Sequence, residues 1–272
     1  MPYFGWAYFF VPLNSPLPSD VGFGSFSLTH IVTLLLLAVA IAVLVVAYRR
    51  APEPVRRRIR IAVGVAIAFL EVLHQAALLM RGTYDPTYLP LHLCGMMEFI
   101  VIVDCFHSSR WTREPLYAFG VWCAPCALLF PDWSTLPIFN LYTWQGFLIH
   151  ACIVGYALMR LISGEVVPTW RNLWRVVVIS AVFIAASVWA NSTLGTDFWF
   201  LVAGSPGSPL EPIQAIAGQF YLPVLALMLL VLWAMMYTPW GLRARHLAAT
   251  GQRPAGAIST SASTRSQTES RS

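Results

Sequence analysis

The stretch LTHIVTLLLLAVAIAVLVVAYRRAPEPVRRRIR, residues 28–60, decides the fold, because a long apolar run ends in a block of arginines. A helix that crosses a bilayer needs about 20 consecutive apolar residues, and residues 28–48 supply that length. Arginine accumulates in the cytoplasmic loops of membrane proteins. The stretch therefore predicts a first transmembrane helix that starts outside the membrane and ends inside.

The composition of the whole chain agrees with a membrane protein. Of its 272 residues, 58% are hydrophobic and only 11% are charged, whereas about 25% of the residues in a soluble domain are charged. Mean hydropathy is +0.66. The formal net charge of +5 comes from arginines in short clusters between apolar runs. We therefore expect the membrane surface, and not a nucleic acid, to be their partner.

Six further apolar runs follow the first, at residues 61–80, 89–106, 116–130, 141–161, 176–189 and 220–237. Arginines cluster beside the ends of the third, fifth and seventh runs, at Arg110, Arg113, Arg160, Arg171, Arg175, Arg243 and Arg245. The opposite loops hold only Arg81. This alternation predicts an all-α polytopic bundle of about seven transmembrane helices, with the N-terminus outside and the C-terminus inside.

Three regions follow from this pattern. Residues 1–27 are rich in aromatic residues and proline, which predicts an N-terminal segment at the outer interface. Residues 28–240 form the predicted transmembrane domain. Residues 241–272 are dominated by serine, threonine, glycine and alanine, which predicts a disordered cytoplasmic tail.

Ionisable and amide side chains concentrate in the outer half of the predicted bundle. The candidate pocket residues are His30, Glu71, His74, His92, Cys94, Glu98, His150 and Asn191. Each one alone is explained by a structural hydrogen bond between helices. Their shared depth favours a pocket that opens outward, because intramembrane ionisable residues usually face the interior of a bundle. Glu71 and His74 are three residues apart, so they should share a helix face.

Cys94 is the candidate nucleophile in this layer. We expect Pro90 in the first turn of the third helix, which would place the thiol near the positive end of the helix dipole. A reactive thiol also needs a basic partner, and His150 or His74 fits better than His92, which would face away. The alternative is that Cys94 packs as a small apolar residue. Cys123 and Cys126 form a C-x-x-C pair, for which we favour packing over redox chemistry.

Three motifs resemble the signature stretches of the bacterial YwaF-type integral membrane family. They are LPLHLC at residues 89–94, FLIH at 147–150, and NSTLGTDFWFL at 191–201 followed by SPGSPL. FSLTH at 26–30 and FPD at 130–132 are weaker matches. That family is distantly similar to a vertebrate transmembrane acyltransferase that makes ether-linked phosphatidylethanolamine, and to transmembrane hydrolases of fatty acid esters. The usual Asn-Tyr after GT is replaced here by Asp197 and Phe198.

The resemblance implies Cys94 as nucleophile and His150 as its base. The leading hypothesis is a lipid acyltransferase or acyl-ester hydrolase in the cell membrane, acting on phospholipids or lysophospholipids without a cofactor. A metal-dependent hydrolase is the first alternative, since the histidines, Cys94 and two glutamates include enough ligands for zinc. A transporter or ligand-binding protein is the second.

Overall fold

A computed structural model describes residues 6–18, 20–205 and 207–250, and these residues contain helices and no strand. The predicted all-α class is confirmed. The α-helices in this part of the chain are α1 (Leu28–Arg50), α2 (Glu53–Met80), α3 (Leu93–Phe106), α4 (Arg110–Ala118), α5 (Cys123–Leu129), α6 (Leu141–Ile162), α7 (Leu173–Leu194), α8 (Leu210–Ala217) and α9 (Tyr221–Ala249). Short 3-10 turns lie at Trp6–Tyr8, Pro86–Tyr88, Asp132–Thr135, Trp170–Asn172, Phe198–Phe200 and Gly218–Phe220.

Helix α6 is the centre of the bundle and packs against α1, α2, α3, α4 and α5. In its most apolar stretch 67% of the residues are buried, against 22% or less in the other helices of membrane-spanning length. Gly155 permits close packing on one side, because a Cβ there would lie 3.0 Å from the Leu44 side chain of α1. Side chains on α6 are therefore well placed to form an interior site.

Five helical segments are long and apolar enough to cross a membrane. They are Leu28–Arg50, Glu53–Met80, Leu141–Ile162, Trp170–Leu194 and Leu210–Leu247. Large apolar side chains such as Leu35, Leu36 and Val39 are exposed on α1. Exposed apolar faces of this kind suit contact with lipid tails. Five of the seven predicted runs thus fall on helices of spanning length.

The third predicted run, residues 89–106, forms a shorter helix than expected. Helix α3 has 14 residues and is about 21 Å long. It begins at Leu93, after His92 as N-cap, because the preceding chain folds back across Gly95. A Cβ on Gly95 would lie 2.3 Å from the Pro90 carbonyl oxygen. The prediction that Pro90 belongs to the first helical turn is wrong, and Cys94 lies one residue after the helix start.

The fourth predicted run, residues 116–130, is not one helix. It divides into the end of α4 and the whole of α5, with a break near Gly120. A Cβ on Gly120 would lie 2.6 Å from the Leu116 carbonyl oxygen and 2.9 Å from the Ala157 Cβ of α6. Pro125 lies in the first turn of α5, where its missing N–H costs no helical hydrogen bond. Within a continuous helix the same proline would interrupt the hydrogen-bond ladder.

The structure describes part of the predicted N-terminal segment, residues 1–27, and part of the predicted tail, residues 241–272. Helix α9 continues to Ala249, so residues 241–249 of the predicted tail are helical. The rest of the predicted tail, residues 251–272, lies outside the described residues. Within the described part of residues 1–27 the chain forms no helix of spanning length and covers the start of α6. There the Asn140 amide donates to the Tyr8 carbonyl at 2.7 Å and the Val11 carbonyl at 2.9 Å.

A buried ionic network joins four helices at the end of the bundle where α3 and α6 finish. Arg160 is 1% exposed, donates to Asp104 of α3, and forms an ion pair with Glu165 in which Nε lies 2.7 Å from the carboxylate. Glu165 also accepts from the Tyr48 hydroxyl of α1 at 2.7 Å and lies 3.4 Å from Arg60 of α2. Arg160 lies in the last turn of α6, at the end of the fifth predicted run, but unlike a loop arginine it does not face solvent. Its charge is buried and neutralised inside the protein.

Replacing this buried cation should destabilise the fold. In Arg160→Met, Asp104 would keep only the hydroxyl donors Tyr156 and Thr112. Removal of one partner from a buried ion pair costs about 3–5 kcal/mol, which should lower the thermal midpoint in detergent by about 10 °C. The control Arg57→Met removes an exposed arginine that has no carboxylate partner among the described residues. An equal midpoint for both variants would contradict a stabilising role of the network.

Candidate functional site

Cys94 and His150 meet where the first turn of α3 packs against the middle of α6. Their side chains are close enough to interact electrostatically. His150 is buried and Cys94 is half-buried. His74, the other proposed partner, instead contacts Glu71 and the rings of Tyr88 and Tyr142. The structure thus brings together the two residues predicted to be nucleophile and base.

A backbone carbonyl sets the protonation of the His150 ring. The His150 Nδ1 lies 2.6 Å from the carbonyl oxygen of Gly146. A carbonyl oxygen can only accept, so Nδ1 carries a proton, and in the neutral ring Nε2 is then the nitrogen with the free lone pair. Nε2 is therefore the nitrogen that can accept a proton from the Cys94 thiol.

Trp133 fixes the plane of the same imidazole. Its indole stacks on His150 with the ring centroids 5.1 Å apart and the planes inclined by 26°. The stacking requires Gly146, since a Cβ there would lie 2.9 Å from the indole Cε2. Trp133 is not among the predicted site residues, although it immediately follows the FPD stretch at residues 130–132.

The backbone amides at the start of α3 add hydrogen-bond donors beside the thiol. The first intrahelical bond runs from the Met96 amide to the His92 carbonyl at 3.0 Å. Within the described part of the chain, the amides of Leu93, Cys94 and Gly95 have no acceptor, and the His92 side chain does not cap them. Unpaired amides at a helix N-terminus favour negative charge. A nucleophile, a base and these donors therefore occupy one small region.

A second thiol contacts the first. The Sγ atoms of Cys94 and Cys123 are 3.8 Å apart, and both cysteines are free. Cys123 comes from the C-x-x-C pair, for which we predicted packing only, while Cys126 is exposed. Asp132 is a further neighbour and interacts electrostatically with both His92 and His150. The C-x-x-C and FPD motifs are recognisable in the sequence, but the sequence does not indicate which side chains Cys123 and Asp132 would contact.

His30 joins two helices and has no free ring nitrogen. Its Nδ1 accepts from the Phe26 amide at 2.9 Å, so its Nε2 must donate to the Leu128 carbonyl at 2.9 Å. The residue is fully buried. Its hydrogen bonds thus connect the start of α1 to the end of α5. This arrangement matches the structural alternative and not the proposed pocket role.

His92 and Asn191 hold the loop that follows α7. His92 Nδ1 accepts from the Trp199 amide at 3.3 Å. The Asn191 side chain accepts from the Phe198 amide at 2.8 Å and donates to the Phe198 carbonyl at 3.1 Å. Trp199 has a positive φ of 63°, which is costly for an aromatic residue. His92 therefore holds this strained loop against the start of α3, and Asn191 holds it against the end of α7.

Asp197, one of the two departures from the YwaF-type pattern, has a local role in the same loop. Its carboxylate accepts from the amides of Val202 at 2.8 Å and Ala203 at 2.9 Å. It thereby satisfies backbone donors of the segment that follows Phe200.

Glu71, His74 and Glu98 form a separate acidic group between α2, α3 and α6. The predicted contact between Glu71 and His74 is present at 3.5 Å. Gln75 donates to Glu71 at 2.7 Å. Glu98 is 8% exposed, interacts electrostatically with Glu71 and Cys94, and has no hydrogen-bond partner in the described residues. This group borders the Cys94 site without supplying its base.

The described residues contain no group of three or more His, Cys, Asp or Glu side chains arranged to hold a metal ion. The metal-hydrolase alternative therefore gains no support from their geometry.

The family assignment agrees with this helical architecture. A family model described as the TMEM164 family matches residues 25–237. The chain belongs to the TMEM164 family. No curated protein and no solved structure matches the chain. The matched region includes Cys94, His150, Trp133 and the loop held by Asn191, so the candidate site lies wholly inside the part shared with this membrane family. The narrower YwaF-type assignment stays a prediction.

Gly146→Ala should disturb the site without removing a functional group. The added methyl group would displace the Trp133 indole and shift the stacked His150 ring away from Cys94. We expect alkylation of Cys94 by iodoacetamide, measured by peptide mass spectrometry, to slow about tenfold. Gly155→Ala is the matched control on the same helix, because its Cβ would meet the flexible end of Leu44 at 3.0 Å and would lie in ordinary contact with Ile41 at 3.8 Å. Equal alkylation rates in the two variants would contradict the proposed packing of Gly146, Trp133 and His150.

Proposed function

We propose that this TMEM164-family protein is a membrane acyltransferase or acyl-ester hydrolase with Cys94 as nucleophile and His150 as base. The tautomer that Gly146 imposes on His150 carries this proposal. It makes Nε2 the unprotonated nitrogen of the neutral ring, and general-base activation of a neighbouring thiol requires such a nitrogen. The Gly146 carbonyl and the Trp133 indole orient the ring as the third group of a catalytic triad does.

In the first half-reaction, Nε2 of His150 accepts the thiol proton, and the Cys94 sulfur attacks the carbonyl carbon of a lipid ester. A carbon–sulfur bond forms and the carbonyl π electrons move to its oxygen. When this tetrahedral intermediate collapses, the bond from carbon to the ester oxygen breaks. The protonated His150 gives its proton to the departing lysolipid oxygen, which leaves an acyl thioester on Cys94.

In the second half-reaction, His150 removes a proton from an acceptor hydroxyl, whose oxygen attacks the thioester carbonyl. Collapse of the intermediate releases the acylated acceptor, and the proton on His150 returns to the Cys94 sulfur. A lysolipid acceptor gives acyl transfer and water gives hydrolysis. Both outcomes use the same two side chains.

The amides at the start of α3 suit the negative charge that develops on the carbonyl oxygen. The amides of Cys94 and Gly95 are close to the attacking sulfur and have no other acceptor in the described part of the chain. Donors that are already oriented stabilise an oxyanion without reorganisation, and one such donor contributes about a hundredfold or more to the rate.

The position of the site favours a membrane lipid as substrate. Cys94 lies at the start of α3, whereas the arginine-rich turn between α1 and α2 lies with the Arg160 network at the other end of the bundle. By the positive-inside rule, Cys94 would then face the outer leaflet of the cell membrane in a multi-pass topology. Phospholipids or lysophospholipids of that leaflet are the proposed partners.

The decisive test is intact mass spectrometry of the purified protein after incubation with phospholipid. We expect a hydroxylamine-labile acyl adduct on the wild-type protein. Cys94→Ser should carry no thioester, and His150→Gln should lower the rate of adduct formation at least a hundredfold, on the order of the loss expected for a general base.

Cys152→Ser is the matched control, because Cys152 is a half-buried thiol only two residues from His150 on α6. It should retain the adduct at the wild-type level. A thioester that persists in Cys94→Ser, or a wild-type protein that stays unmodified at low temperature, would refute the proposal. The second result would direct attention to a binding or transport function.

A further inference from the structure

A basic cleft lies at the end of the bundle opposite to Cys94. It has a volume of about 660 Å³ and is bordered by the N-terminal parts of α4 and α7 and by the loop between α6 and α7. Four arginines line it: Arg110, Arg113, Arg171 and Arg175. The four come from two segments that are distant in sequence, so the cleft concentrates positive charge that the fold has brought together.

The described residues include no carboxylate paired with any of these four arginines. Arg113 donates to the Ser108 hydroxyl at 2.9 Å, and Arg175 donates to the Asn172 side-chain oxygen. Most of their donor groups thus have no acceptor within the described part of the protein. A concentration of unpaired guanidinium groups repels itself and favours an anion in the space between them.

Two glutamates also line the cleft, but each is already engaged. Glu165 is bound by Arg160 at 2.7 Å and lies 3.5 Å from Arg56. Glu114 is buried and accepts from Asn172 at 2.9 Å and from the Tyr237 hydroxyl at 3.1 Å. Both carboxylates are engaged by these other partners, so they do not neutralise the four cleft arginines.

The helix ends add to the positive potential. Helix α4 begins at Arg110 and α7 begins at Leu173, so both helices direct the positive ends of their dipoles toward the cleft. The Ser109 side chain already caps α4, whereas the Asn172 side chain does not cap α7. Phosphate groups bind at helix N-termini for this reason.

Aromatic rings hold one guanidinium in place. The Arg175 guanidinium lies 4.7 Å from the ring centre of Trp174 and 5.7 Å from that of Trp111. Its Nε is buried and has no hydrogen-bond partner in the described residues. That buried Nε does not face the open cleft, but a guanidinium whose plane is held by stacked rings is well organised to bind a planar or tetrahedral oxyanion through its outer N–H groups.

We infer that this cleft binds a phosphate group, presented by an anionic lipid headgroup or by a soluble phosphate. Arginine matches phosphate oxygens with paired N–H donors, and each basic residue at a membrane surface adds to the attraction for anionic lipid. The exposed Trp111 and Trp174 suit a position at the membrane interface, where tryptophan is enriched. The site does not depend on the chemistry proposed for Cys94.

The test is native mass spectrometry of the full chain in detergent micelles, titrated with phosphatidylglycerol or with phosphatidylcholine. We expect wild-type protein to bind phosphatidylglycerol at least tenfold more tightly than phosphatidylcholine. Arg110→Gln/Arg171→Gln should weaken phosphatidylglycerol binding about twentyfold, because two surface arginines are lost. Both residues are exposed, so the thermal midpoint should not change.

The control variant is Arg57→Gln/Arg58→Gln, which removes the same charge from the same end of the bundle outside the cleft. It should change the affinity less than threefold. Equal weakening in the two double variants, or equal binding of both lipids by the wild type, would overturn the inference.

Inorganic phosphate distinguishes the two sources of the ligand. If about 10 mM phosphate leaves phosphatidylglycerol binding unchanged, the cleft is a lipid headgroup site. If phosphate displaces the lipid from the wild type, and the cleft variant no longer responds to phosphate, the site accepts soluble phosphate.

Discussion

The buried charge of Arg160 must be neutralised inside the helix bundle, and this requirement fixes α3 against α6. Asp104 of α3 meets Arg160 of α6, and Cys94 and His150 each lie ten residues earlier on the same two helices. Ten residues span about 15 Å on either helix. Since the intervals are equal and the helices run in the same direction, the ion pair at one end sets the register at which thiol and imidazole meet at the other.

The contact between Cys94 and His150 could be predicted from the sequence, because the prediction needs only the depth of each residue in the bundle. The depth of each residue follows from its distance along the chain from the outer end of its apolar run. The arginine pattern indicates that the third and fifth runs cross the membrane in the same direction. The wrong placement of Pro90 in the first turn of α3 does not affect this prediction. The contact between Cys94 and His150 depends on the register of α3 against α6 and not on which residue begins the helix. Helix class and the main candidate pair were therefore accessible without coordinates.

The contacts that surround Cys94 and His150 could not be predicted from the sequence. The break at Gly120 depends on Ala157, and the stacking of His150 depends on Trp133 fitting over Gly146. Apolar periodicity indicates which residues are buried but not which neighbour fills the space. His30 shows the same limit, since its depth matched the candidate layer while its two hydrogen bonds lead to Phe26 and Leu128.

The irregular backbone before α3 is itself informative about function. In a bilayer, lipid cannot accept hydrogen bonds, so non-helical backbone at membrane depth persists only where protein surrounds it or where it borders a polar cavity. The chain from Pro86 to His92 is non-α-helical, held by Trp199, whose indole donates to the Leu91 carbonyl at 2.8 Å. A continuous helix from residue 89 would have hidden the amides of Cys94 and Gly95 in its hydrogen-bond ladder. The late start of α3 leaves those donors beside the thiol, where the proposed acyl transfer would use them.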